Sequence, residues 1–108
     1  MKPNMNQAQA MKQLQQAQAE MARVQEELKK DLVTASAGGG AVKVSITGDL
    51  QVTDVVIDPR AVDPDDLSML QDMVVAAVNE ALRQSQELAN AKMARIMGGL
   101  NLPGGMGF

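Results

Sequence analysis

The chain has 108 residues, 45% of them hydrophobic and 21% charged, with a formal charge of −3. That length makes one domain with a modest core, burying roughly 60–70% of the unfolded surface. Cysteine, histidine, tryptophan and tyrosine are absent and phenylalanine occurs once, which excludes disulfides, thiol and imidazole catalysis, the usual transition-metal ligands and an aromatic platform for stacking bases.

The charge is unevenly spread. Residues 1–30 carry five Lys/Arg against three Glu, residues 31–66 carry two against seven acids, and residues 67–108 carry three against three. A pI near 4.8 argues against wholesale polyanion binding but leaves room for a basic arm on an acidic body. No apolar run reaches the length of about 18 residues that a membrane span needs. The N-terminus lacks an apolar signal core, so the expected location is the cytoplasm.

From Asn6 to about Lys30 the chain is built of strong helix formers, with no Gly or Pro. Pro3 suits the entry to this helix. Ala10, Leu14, Ala17, Met21, Val24 and Leu28 fall alternately four and three apart, the spacing of a coiled-coil seam. Lys2, Lys12, Arg23, Lys29 and Lys30 lie off that seam, where cations ordinarily form a solvated face. A helix of about 25 residues is roughly 37 Å long, whereas strands of six to eight residues reach only about 20–27 Å. The seam therefore overshoots any sheet in this chain and needs a second helix to cover it. The C-terminal half of the same chain is one candidate and a second copy is the other.

A three-stranded antiparallel meander is predicted next, over about 32–37, 41–47 and 50–57. Leu32–Ala37 is its weakest strand, joined to the second by Gly38-Gly39-Gly40. Val42, Val44 and Ile46 alternate with Lys43, Ser45 and Thr47, the period of a strand with one buried face. Gly48-Asp49 reads as a two-residue hairpin turn with positive φ. Buried parity changes between Val52 and Val55, which predicts a bulge near Asp54.

Asp63 reads as the N-cap and Pro64 as the first residue of a second long helix over about 64–97. Asp63, Asp65 and Asp66 do not follow a calcium-loop order, so they are assigned to capping and not to a metal. Leu67, Leu70, Val74, Ala77, Ala81 and Leu88 make an apolar stripe, widened by Met73, Val78, Leu82, Ala89, Met93 and Ile96. Gln84 and Ser85 interrupt it, so packing should thin there. Arg83, Lys92 and Arg95 are this helix's only cations. Residues 1–97 are thus read as a single domain, and the glycine-rich residues 98–108 as a flexible tail.

Catalysis is not expected. The serines have no histidine to activate them, and no Lys-Ser/Thr or opening helix follows the glycine triplet as a phosphate loop requires. Nor is a metal, a cofactor or a small-molecule substrate.

The order and spacing of these segments resemble the YbaB/EbfC family of bacterial nucleoid-associated DNA-binding proteins. The resemblance is carried by Met11-Lys12-Gln13, Gln25-Glu26-Glu27-Leu28, the run Gly38 to Gly48, Val56-Ile57-Asp58-Pro59 and the run Met69 to Ala81, ahead of a Lys-Met pair and a Gly/Pro tail. It implies an α+β protomer, helix–sheet–helix, in an intertwined homodimer whose long helices project like tweezers. It also implies duplex DNA binding with low sequence specificity, and a nucleoid-associated role in chromosome organisation or gene regulation. The family has no sharply defined contact motif, so the expected DNA contacts rest on helix geometry: Lys2, Lys12, Arg23, Lys29, Lys30, Arg83, Lys92 and Arg95. Leu14, Met21, Val24 and Leu28 are the expected dimer contacts. Helix–hairpin–helix order with Met/Leu seams is also similar to prefoldin-like subunits, so a small chaperone or helical scaffold is the alternative.

Overall fold

The computed structural model describes residues 3–99, with side chains over 7–98. Lys2, and the tail with Leu100, Leu102 and Phe108, lie outside the described residues. Helix α1 (Pro3–Lys30) leads into strands β1 (Leu32–Ala37), β2 (Val42–Thr47) and β3 (Val52–Ile57), a short 3-10 turn at Pro59–Ala61, and helix α2 (Leu67–Gly99). The strands form one antiparallel sheet in the order β1-β2-β3. The fold is α+β, as expected.

The core follows from the alternation in β2. Val42, Val44 and Ile46 are fully buried and meet Ala35 of β1 and Ala77 and Ala81 of α2. Small residues on α2 let the helix axis lie close to the strands, while Leu70, Met73, Val74, Val78 and Leu82 close the sides. Farther along α2, Leu88, Ala89, Met93 and Ile96 receive Val24 and Leu28 of α1. The broad stripe on α2 therefore serves two partners in succession, the sheet and then α1.

The expected bulge is present. Ser45 faces Asp54 while Ile46 faces Val52, which leaves Thr53 as the extra residue. The bulge brings Val52 and Val55, three apart, to the face that carries Ile46 and Val44. Yet every residue of β3 is exposed, because α2 covers β1 and β2 but not this edge strand.

Three expectations are corrected. Gly48 has no positive φ; the left-handed residue is Leu50, at φ 70°. Leu50 N–H donates to Thr47 O (3.0 Å) and Thr47 N–H to Gln51 O (2.9 Å), so the hairpin is a three-residue loop ending in a left-handed residue. Gly48 is needed for close approach instead: a Cβ there would lie 2.8 Å from Leu28 O and 3.0 Å from Leu28 Cα. Second, the cap of α2 is Asp66, whose Oδ1 accepts from Met69 N–H at 3.2 Å and from the Ser68 hydroxyl at 2.9 Å. Asp63 instead closes a turn over 63–66, its side chain accepting from Asp65 N–H and its carbonyl from Asp66 N–H, both at 2.9 Å. Pro64, with its fixed φ, fits the second position of such a turn as well as a first helical position. Third, packing does not thin at Ser85. That side chain is fully buried and its hydroxyl donates to Thr47 O at 2.9 Å, pinning α2 to the hairpin.

The molecule is elongated, 79 × 28 × 16 Å with a radius of gyration of 21.0 Å, against about 13 Å for a compact chain of 100 residues. Upstream of Val24, no described side chain of α1 is buried. That stretch is a projecting arm.

Candidate nucleic-acid interface

The arm carries an uncovered apolar seam: Met11, Leu14 and Met21 are 62%, 59% and 39% exposed. Val24 and Leu28 of the same seam are buried against α2 within the chain. The helix holds because its residues are strong helix formers, but a long helix with one bare apolar stripe draws little stability from its own chain.

The expected cations fall into three groups. Lys12, Lys30 and Arg95 are exposed and make no ion pair among the described residues. Lys29 is exposed beside Glu26 at 3.2 Å, a surface pair of the kind that contributes little.

Arg23 and Arg83 are exposed but flanked one turn away on both sides. Arg23 sits between Glu20 (2.6 Å) and Glu27, and Arg83 between Glu80 (2.5 Å) and Glu87. The hydrogen bond to Glu20, with Glu27 adding its charge, raises the Arg23 pKa further. Bonds from Arg83 and Gln84 hold the Glu80 carboxyl at about 2. These guanidinium forks are already occupied by carboxylates, so a phosphate there has to displace one.

Lys92 stands apart. Its Nζ donates to Glu27 Oε1 at 2.9 Å and lies 2.7 Å from Asp31 Oδ2, and its side chain is 14% exposed. The bond to Asp31, then that to Glu27, raises the Lys92 pKa, and the Lys92 bond lowers that of Glu27. This is an internal tie between α1 and α2. A cleft of about 230 Å³ lies between the two helices, lined by Glu20, Arg23, Val24 and Glu27 of α1 and by Lys92, Arg95 and Ile96 of α2.

One further cation belongs with the unpaired ones. Lys43 is exposed on the outer sheet face, flanked across the strands by Ser36 and Val56. Its position opposite the buried parity of β2 was the sequence signal for it. Among the described residues no group of three metal-ligating side chains converges. What the described surface offers is scattered cations, an arrangement suited to a repeating polyanion.

The family model of the YbaB/EbfC DNA-binding family matches residues 1–100. A nucleoid-associated protein of Moorella thermoacetica is 55% identical over 101 residues, covering 94% of this chain and 95% of that one. Another, of Acetivibrio thermocellus, is 54% identical over 95 residues, covering 87% and 84%. Among solved structures, uncharacterized protein HP0035 of Helicobacter pylori shares the fold, with a TM-score of 0.73 at 23% identity over 83% of this chain and 95% of that one. Matched across nearly its whole length by the family model and over half identical to relatives of similar length, the chain belongs to the YbaB/EbfC DNA-binding family.

Proposed function

We propose that the protein binds duplex DNA as a homodimer, through backbone electrostatics and with low sequence specificity, in organising the nucleoid or regulating genes within the cytoplasm. The observation that carries this reading is the projecting arm, whose apolar seam is bare while Lys12 faces solvent, with Lys29 and Lys30 exposed at its foot. A second copy that covers Met11, Leu14 and Met21, and the exposed Val52, Val55 and Ile57 of β3, removes this apolar surface from water. Val24 and Leu28 then brace each arm from inside its own chain, at the edge of that contact.

Two-fold symmetry doubles every cation, so Lys12, Lys29, Lys30, Lys43 and Arg95 appear twice. Lys2 adds to the same arm in sequence. Lysine heads on mobile stems neutralise phosphates without reading bases, which supports low specificity. The relatives' designation as nucleoid-associated proteins points the same way.

Fluorescence anisotropy with two unrelated duplexes over a salt series tests the proposal. With four to six phosphates neutralised per dimer, log affinity should fall against log salt with a slope of about −4 to −5 on both duplexes. A slope near zero would refute the electrostatic grip. The bare Met/Leu seam also fits the chaperone alternative, which predicts suppression of client aggregation that survives high salt.

A further inference from the structure

We infer that Lys92 is a positioning residue: by tying α1 to α2 it sets the direction in which the arm projects, and it does not itself touch DNA. The inference rests on the DNA-binding reading above for its functional half only.

The arm is held by its last two turns. Val24 and Leu28 supply the apolar part of that contact, and apolar contact is non-directional. The directional part is the Lys92 ammonium, set between carboxylates four residues apart, at 2.9 Å from Glu27 in the last turn of α1 and 2.7 Å from Asp31 just past its end. Asp31 Oδ2 is buried and has no other polar partner. Asp31 is also where α1 joins the sheet, since its carbonyl accepts from Gly48 N–H at 3.1 Å. One ammonium therefore couples the foot of the arm to α2 beside the point where that foot meets the hairpin.

Leverage makes this coupling matter. Lys12 lies fifteen residues before Glu27, about 22 Å along a helix. A swing of roughly 10° at the foot moves Lys12 by about 4 Å, more than the about 3.4 Å axial spacing of phosphates on one strand. A loosened foot takes the arm cations out of register with the backbone they grip.

The absence of cysteine allows spin labels at Gln13→Cys and Gln86→Cys, both exposed sites. Diluting labelled with unlabelled protein isolates the distance within one chain. The wild type should give a narrow distance distribution and Lys92→Gln a broad one, with Lys92→Arg restoring the narrow form. Duplex affinity of Lys92→Gln should fall about tenfold while the salt slope stays unchanged. If that variant does not fold, Glu27→Ala, which removes one of the two acceptors, is read in the same way.

An unchanged distance distribution overturns the inference. So does a salt slope reduced by about 1.8, the signature of one lost phosphate contact per copy. A broad distribution with full affinity refutes the functional half. Should the wild type bind no duplex, the DNA reading fails, and the distances alone still decide whether Lys92 holds the arm.

Discussion

Replacing Gly48 by alanine should unseat the foot of α1. A Cβ at this position would stand 2.8 Å from Leu28 O, 3.0 Å from Leu28 Cα and 2.7 Å from Leu28 Cδ2. The Cδ2 end can rotate away, but the two backbone atoms cannot move without shifting the last turn of α1. Overpacking of this kind costs about 1–3 kcal/mol. An alanine at a glycine site with compatible φ gains about 0.4–1 kcal/mol from the unfolded state, too little to offset it. The net loss of roughly 1.3 kcal/mol, from the middle of each range, corresponds to a melting temperature lower by about 5–10 °C in a chain of this size. Thermal unfolding at fixed protein concentration reads it, because association also moves the transition. An unchanged or higher melting temperature would refute the close approach of hairpin and helix on which the arm's placement depends.

Leu50, two residues on, should behave oppositely: Leu50→Gly relieves a left-handed φ of 70° on an exposed side chain, and a gain of about 1 kcal/mol is expected in the same melt. Ser85→Ala removes the bond to Thr47 O but leaves that carbonyl bonded to Leu50 N–H, so chemical denaturation should show a loss of only about 1 kcal/mol. Glu80, held at about 2 against an ordinary 4.5, keeps its proton off in the folded state. Its stabilisation is complete above pH 4.5 and lost as pH falls toward 2. A carboxyl-carbon NMR titration should place its midpoint near 2, and a midpoint near 4.5 would remove Arg83 and Gln84 as its partners. Neutralising Lys12, Arg23, Lys29 and Lys30 together should weaken duplex binding by orders of magnitude at low salt while the protein stays folded. Gel shifts showing unchanged affinity would move the contact off α1.

Local pattern carried most of the fold. The helix formers of α1, the alternation of β2 and the parity break at Val52–Val55 each state their structure within a few residues, and the bulge at Thr53 follows from them. Features that depend on a distant segment were not legible. Gly48 looks like turn chemistry, and only the arrival of Leu28 shows why it lacks a side chain. Ser85 looks like a break in an apolar stripe, and only Thr47, far away in sequence, turns it into a tie. The run Asp63-Pro64-Asp65-Asp66 supports a turn or a cap with the same side chains, so the chemistry that points to Asp63 as the cap places the start of α2 three residues too early.

The same distinction governs the cations. Off-seam spacing put Lys12, Arg23, Lys29 and Lys30 on the exposed face of α1, where they are found. Spacing within α2 did not reveal that Lys92 faces Glu27 of α1 and Asp31 just beyond it, because that depends on the helix crossing. The exposure of β3 is likewise a matter of how far α2 reaches across the sheet, which no strand pattern encodes.

The solution mass tests most directly whether the bare arm and the open edge of β3 are covered by a second copy. Light scattering on the full chain alone at micromolar concentration should return twice the 11.5 kDa of one chain. A mass of 11.5 kDa would contradict the account, since a lone arm presents its cations singly and leaves its seam in water.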